Sequence, residues 1–244
     1  MELEGRVALV TGAARRVGRA ITLRLARAGC RVAVHYHTSR EQAGEVVTEA
    51  RAIGVEARAF HADLADPEHT AALARDARDA FGGLDILVNN AAVFRKMSLD
   101  DFDIEQWEHT LRVNLTSAMV LTHAARDALH RAGGRVINIS DAGAATHPWP
   151  DHLAYSVSKA ALDALTRALA RALAPEVNVV GIAPGVAQWP DDYTEHERAR
   201  LLKRIPLQHA GTPEQIAEVA HFFLRHADYV TGAILPVDGG RHLG

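Results

Sequence analysis

Short apolar, β-branched runs alternate with amphipathic stretches along almost the whole chain. The apolar runs fall at 7–10, 31–35, 55–59, 86–88, 135–139, 177–182 and 233–236. Between them, apolar residues recur with helical spacing near 17–28, 40–53, 67–81, 104–131, 152–173 and 213–226. Strand runs that are apolar nearly throughout, each followed by a helix, predict a parallel sheet covered on both faces. Right-handed crossovers then give an α/β, Rossmann-type, doubly wound fold with seven strands and ligands at the strands' carboxyl ends. Two connections are long, 141–151 and 184–212, as lids and binding loops often are.

At 244 residues and 48% hydrophobic content, the chain reads as one domain over 1–244. Its cofactor half covers about 1–140, with a catalytic helix and substrate loop over 141–244. A net charge of −3 gives no electrostatic case for nucleic acid or for a membrane surface. The N-terminus lacks the basic and apolar segments of a signal peptide, and no apolar run approaches the roughly 20 residues of a membrane span. The single cysteine, Cys30, fits a reducing, cytoplasmic compartment and reads as buried packing. His123 with His130 and His221 with His226 lack ligand spacing, so no metal is expected.

The first run leads into Thr11-Gly12-Ala13-Ala14-Arg15-Arg16-Val17-Gly18 and then into a helix. Such a turn aims backbone N–H groups and a helix dipole at one spot, where a pyrophosphate binds. Arg16 takes the place where many such turns carry a middle glycine. The second run ends His35-Tyr36-His37-Thr38-Ser39-Arg40, with no carboxylate before Glu41. An acid there would bond a ribose 2′-hydroxyl and repel a 2′-phosphate, so His37, Thr38, Ser39 and Arg40 point to NADP(H). Thr38 or Ser39 could equally serve as a helix cap. Asp63 and Leu64 follow the third strand, and Asn89-Asn90-Ala91 the fourth, at the same end of the sheet.

Tyr155 and Lys159 lie four apart at the start of a helix and share one face. An ammonium about 4–5 Å from the phenol, at an effective dielectric near 20, would lower its pKa from about 10 by about two units. The phenol would then exchange protons near neutral pH.

Together these segments resemble the short-chain dehydrogenase/reductase family over essentially the whole chain. Thr11, Gly12 and Gly18 match its glycine turn, Asp63 its adenine-contacting acid, and Asn89-Asn90-Ala91 its Asn-Asn-Ala-Gly motif, with Ala92 for the glycine. Asn114 matches its helix asparagine, Tyr155 and Lys159 its Tyr-x-x-x-Lys pair, and Pro184-Gly185 the Pro-Gly before its substrate loop. The resemblance implies catalytic roles for Tyr155, Lys159 and Asn114, and a homotetramer built on the two longest helices.

Two departures narrow the resemblance. Asp141 replaces the serine that usually orients the substrate, although Ser140 remains a candidate for that hydroxyl; Arg16 is the other departure. Both features are similar to pteridine and dihydromonapterin reductases, in which Asp141 would be catalytic and Phe94 would stack on the pterin. On that reading Arg16, Phe94, Asp141, Tyr155 and Trp189 bind a small pterin-like substrate, a dihydropterin reduced to the tetrahydro form with NADPH; the alternative is a carbonyl reductase of the wider family acting on a 3-oxoacyl thioester, sugar or quinone. Phe94 could instead be core packing, and Trp189 could pin its loop. An ionised Asp141 beside Tyr155 would cancel part of the lysine's effect.

Overall fold

The computed structural model describes residues 1–144, 146–189 and 194–243. Seven strands form one parallel sheet: β1 (Val7–Val10), β2 (Arg31–Tyr36), β3 (Ala57–His61), β4 (Ile86–Asn89), β5 (Arg135–Ile139), β6 (Asn178–Pro184) and β7 (Ile234–Val237). Their order is β3-β2-β1-β4-β5-β6-β7, a single doubly wound Rossmann-like domain. Val10 pairs with Val34 of β2 on one side and with Val88 of β4 on the other. The strand order reverses there, which opens a crevice at the carboxyl ends of β1 and β4.

Alternation along each strand splits the core in two. Ala8 and Val10 face the layer packed by α1 (Arg16–Arg27), α2 (Arg40–Ile53) and α8 (Pro213–His226). Val7 and Leu9 face the layer of α3 (Pro67–Phe81), α5 (Ser117–Ala132) and α6 (Leu153–Ala172). All four β1 residues are fully buried, which is why the run shows no polar alternation.

The structure departs from the sequence pattern at three places. The run at 55–59 forms a strand two residues later. Gly54, at φ 110°, ends α2, and the Val55 N–H turns back to Ala50 O at 3.4 Å, so Val55 closes the helix. The stretch 104–131 is not one helix. It divides into α4 (Ile104–Leu111), a π-helical turn (Arg112–Thr116) and α5. The connection 184–212 contains a further helix, α7 (Glu195–Leu202), with no buried residue to give it a pattern. Pro190 to Tyr193 of that connection lie outside the described residues.

Among the described residues, no helix is long and apolar enough to cross a membrane. Cys30 is buried, and its thiol is pushed up to about 12, chiefly by burial.

Candidate active site

The crevice is a cleft of about 510 Å³. Its outer part is the glycine turn. Gly12 has φ 61°, and a Cβ on Gly18 would stand 2.2 Å from Gly12 O, so the turn closes only with glycine at both places. Asn90 braces it: Nδ2 donates to Thr11 O at 2.8 Å and to Gly12 O at 3.3 Å. The Thr11 hydroxyl accepts from the N–H groups of Asn90 and Ala91 (2.9 and 3.0 Å) and donates to Val88 O. Thr11 is buried behind the turn rather than in the cleft wall, so its part is to tie β1 to β4.

His35 completes the brace. The Gly12 N–H donates to His35 Nδ1 at 3.0 Å, which leaves Nε2–H to donate to Ala62 O at 3.2 Å. One neutral imidazole thus links the glycine turn to the end of β3. Burial holds its pKa down at about 4.

Arg16, Val17, Gly18, His37, Thr38, Ser39, Asp63, Leu64, Asn90, Ala91, Pro184 and Gly185 all line this cleft. Arg16 is exposed and sits at φ 51°, a left-handed conformation that costs a non-glycine residue about 1–2 kcal/mol. Arg40 is outside the wall. Its Nε donates back to the hydroxyl of Tyr36, the last residue of β2, at 3.3 Å instead of reaching into the cleft. Asp63 Oδ1 accepts from Ala65 N–H at 2.9 Å, which holds the loop after β3.

The helix ends around the cleft differ from those elsewhere. Helices α3, α4, α7 and α8 each have a side-chain N-cap, from Asp66, Asp103, Thr194 and Thr212. Helices α1 and α2 have none, nor does α6; Arg16 to Gly18 of the first turn of α1 and Ser39, the N-cap of α2, line the cleft. Two uncapped N-termini on one crevice suit two anionic groups. With the glycine cradle, the arrangement fits a phosphorylated dinucleotide.

At the inner end stand Ser140, Asp141, Tyr155 and Lys159. Strand β6 fixes the chain leaving β5, through Ser140 N–H to Ile182 O (2.7 Å) and Ala142 N–H to Pro184 O (3.0 Å). Asp141 is held at both oxygens. Oδ1 accepts from Gly143 N–H at 2.8 Å, and Oδ2 accepts from the Tyr155 hydroxyl at 3.0 Å. Ser140 turns away from the phenol, and its hydroxyl reaches Lys159 O at 3.3 Å. Asp141, not Ser140, is therefore the side chain against Tyr155.

The expected lowering of the Tyr155 pKa is reversed. Burial and the adjacent Asp141 push the phenol well above its usual value. Lys159 Nζ lies 6.0 Å from the centre of the Tyr155 ring and donates to Ile139 O at 2.6 Å. Burial holds Lys159 itself down at about 8, against the pull of Asp141 and Asp163. Asn114, in the π-helical turn, is buried behind the cleft wall. Its amide exchanges hydrogen bonds with the Val93 backbone (2.8 and 3.0 Å) and donates to Ser158 Oγ at 3.0 Å, so it ties the loop after β4 to α6.

Phe94 and Trp189 do not line the cleft. Phe94 stacks on His152 at 4.2 Å and meets Tyr155 edge-on at 4.7 Å and Trp149 at 5.1 Å. It belongs to an aromatic cluster beside the phenol, with one face taken by an imidazole. Trp189 lies against Arg198 of α7, with the guanidinium 5.9 Å from its ring centre, as a residue holding its loop would. Sequence reasoning missed His35, Trp149 and His152 as site residues. His35 alone carried a signal, a polar side chain inside an otherwise apolar strand. Among the described residues, no three His, Cys, Asp or Glu side chains gather as a metal site.

Comparison with known proteins extends over nearly the full length. The family model described as enoyl-(acyl carrier protein) reductase matches residues 12–242. The chain is 35% identical to a 3-oxoacyl-(acyl-carrier-protein) reductase of Staphylococcus aureus, covering 97% of this chain and 98% of that one. It is 35% identical to versicolorin reductase 1 of Aspergillus parasiticus, covering 98% and 97%. Among solved structures, a short chain dehydrogenase from Burkholderia cenocepacia in complex with NADP superposes with a TM-score of 0.93 at 37% identity, covering 99% of both chains. A blue fluorescent protein from a metagenomic library, in complex with NADPH, gives 0.93 at 35% identity, again over 99% of both. The pterin branch expected from Arg16, Phe94 and Asp141 finds no support among these relatives.

Proposed function

The chain belongs to the short-chain dehydrogenase/reductase family, and from that premise we propose that it is an NADPH-dependent reductase of a small molecule bearing a polarised C=O or C=N bond. The observation that carries this reading is the Tyr155 hydroxyl, 3.0 Å from Asp141 at the inner end of the cleft whose outer end has two uncapped helix N-termini. The end of β2 supports the phosphorylated cofactor, because His37, Thr38 and Ser39 line the cleft with no carboxylate among them. Solved relatives that bind NADP and NADPH support it too.

When bound, NADPH supplies the hydride. The protein's own residues supply position and a proton. The α1 and α2 N-termini, with Arg16, hold the phosphates. Tyr155 stays protonated because its phenol is pushed up, so it stands ready as a donor to the reduced atom. Lys159 keeps a positive charge behind it and balances the negative charge left when the proton departs. Asn114 holds the Val93 loop against α6 and so fixes the wall in which the substrate sits.

For the substrate, a carbonyl compound such as a 3-oxoacyl thioester is the first reading, because relatives of Staphylococcus aureus and Synechocystis are 3-oxoacyl-(acyl-carrier-protein) reductases. A dihydropterin is the second reading, and Asp141 favours it. An ionised carboxyl accepts hydrogen bonds from ring N–H and amino groups, whereas a serine hydroxyl in its place would donate to a carbonyl. NADPH consumption measured side by side with a 3-oxoacyl thioester, simple ketones and dihydropterins tests both. Dihydropterin turnover no faster than that of simple ketones removes the second reading; absence of any NADPH oxidation across the panel removes the first as well. We also propose a homotetramer, in which exposed Met119 on α5 and Val157 on α6 would be covered; sedimentation of a monomer would exclude it.

A further inference from the structure

Asp163 stands on α6 one turn beyond Lys159, on the same side of the helix, and does not line the cleft. It is 7% exposed, and Lys159 is 2% exposed. The Ser140 hydroxyl, which donates to Lys159 O, helps draw the Asp163 carboxyl down, and Asp163 Oδ1 is buried with no hydrogen-bond partner among the described residues. A buried carboxylate with an unmet oxygen is costly unless a cation stands near it. The ammonium one turn away has given a hydrogen bond to Ile139 O and has the same need for an opposite charge.

We propose that Asp163 is a second resident counter-charge of Lys159 beside Asp141: buried one turn away on the same helix face, it helps keep the ammonium protonated behind Tyr155 and so helps set the upper pH limit of proton delivery. It acts through Lys159 and is a positioning residue. The proposal rests on Tyr155 and Lys159 being the proton-delivering pair. Other charges reach the two groups from Asp141 after β5 and from Arg167 on α6, and α4 adds His109 to the same cleft. The polar side chains that β5 and the π-helical turn present to α6 are neutral amides, Asn138 on Thr166 and Asn114 on Ser158. Burial raises the Asp163 carboxyl, and Ser140, Arg167 and Lys159 draw it back, in that order.

The chain has three lysines, Lys96, Lys159 and Lys203, and the other two are exposed. Isotope-labelled lysine in the full-length, cofactor-free protein therefore gives a countable set of NMR signals. Lys159→Arg identifies the Lys159 signal by removing it. In the wild type it should titrate near about 8. Charges one helical turn apart, about 6 Å, at an effective dielectric near 20, move each other's titration by at most about two units. Asp163→Asn should therefore move Lys159 down by at least about one unit, Asp163→Glu should restore most of that, and the alkaline limb of NADPH oxidation should move with it. A Lys159 titration unchanged in Asp163→Asn, with only the melting temperature lowered, overturns the proposal. If Asp163→Asn does not fold, Lys159→Met provides the reciprocal measurement: the labelled Asp163 carboxyl should titrate at higher pH, and no shift overturns the proposal. The titration needs no turnover. An inactive protein would thus sink the reductase reading alone, and an unmoved Lys159 in an active one would sink this inference alone.

Discussion

Replacing Asp141 by asparagine removes the charge in hydrogen-bond contact with the Tyr155 phenol and nearly preserves the shape. The phenol donates to Oδ2 at 3.0 Å. Exchanging the charged acceptor for a neutral amide oxygen lowers the worth of the hydrogen bond from about 1.5–3 to about 0.5–1.5 kcal/mol, or by about one pH unit in the phenol's titration. Bare Coulomb attraction at about 3 Å and a dielectric near 20 sets a ceiling of about 5 kcal/mol. The lower figure governs, because Asp141 is partly exposed and solvent screens it. The phenol of Asp141→Asn should therefore titrate about one unit below that of the wild type. Ultraviolet difference titration measures this, and since the chain has four tyrosines, Tyr155→Phe serves as the blank. An unmoved Tyr155 titration would refute the reasoning, since the hydrogen bond could not then be holding the phenol up. Kinetics of Asp141→Ser separates the substrates. A carbonyl substrate should be reduced as fast or faster, because a hydroxyl donates to the carbonyl oxygen. A pterin should lose about a hundredfold or more, the usual worth of a positioned proton-transfer partner.

Other consequences follow from groups around the cleft. His35 is neutral in the fold, with a pKa of about 4 against 6.5 when free, so the stability it lends is whole above pH 6.5 and lost as pH falls towards 4. That interval is worth about 3 kcal/mol, and urea unfolding across it should show a slope that His35→Gln flattens. Lys159 is depressed from 10.5 to about 8, so its burial penalty is full below pH 8 and relieved as pH rises towards 10.5. Lys159→Met should accordingly raise the unfolding free energy at pH 7 by about 1–3 kcal/mol while abolishing turnover; equal stability would argue that water reaches the amine. Arg16→Gly should stabilise the fold by about 1 kcal/mol by relieving φ 51° yet weaken NADPH binding by about tenfold, two effects of opposite sign read by calorimetry on one variant. Thr38→Asp should turn cofactor preference towards NADH, and Arg40→Ala should narrow it less, because Arg40 is bonded to Tyr36 outside the cleft wall; the ratio of the two dissociation constants decides.

The strands were legible because burial on both faces leaves nothing but apolar residues, as in Val7–Val10. What escaped were features set across the chain rather than along it. Asn114 carries no local mark of a π-helical turn, since apolar spacing continues on both sides; its hydrogen bonds to Val93, 21 residues back, show where it is tied. Phe94 could not be assigned a partner from sequence, because the ring it stacks on belongs to His152, 58 residues away. Helix α7 is the opposite case. It buries nothing and has no periodic signal, but Thr194-Glu195-His196-Glu197 spells a capping box that the pattern search passed over. The Tyr155–Lys159 spacing correctly placed both groups on one helix face and gave the wrong sign for the phenol's shift. Spacing does not report desolvation, nor that Asp141 would be the nearer charge.

The two ends of the cleft have opposite electrostatic sense, and this gives a bound molecule its direction. At the outer end, the N-termini of α1 and α2 carry no side-chain cap, and Arg16 adds a full positive charge. At the inner end, one ammonium stands among two carboxylates, those of Asp141 and Asp163. A ligand with phosphates at one end and a neutral ring at the other gains at the outer end and would be repelled if reversed, because its phosphates would then meet Asp141. The Asp141 carboxylate that orients the ligand also pulls on Lys159 and holds the Tyr155 proton in place. Binding direction and proton supply therefore rest on one set of charges, and neutralising Asp141 should loosen both together.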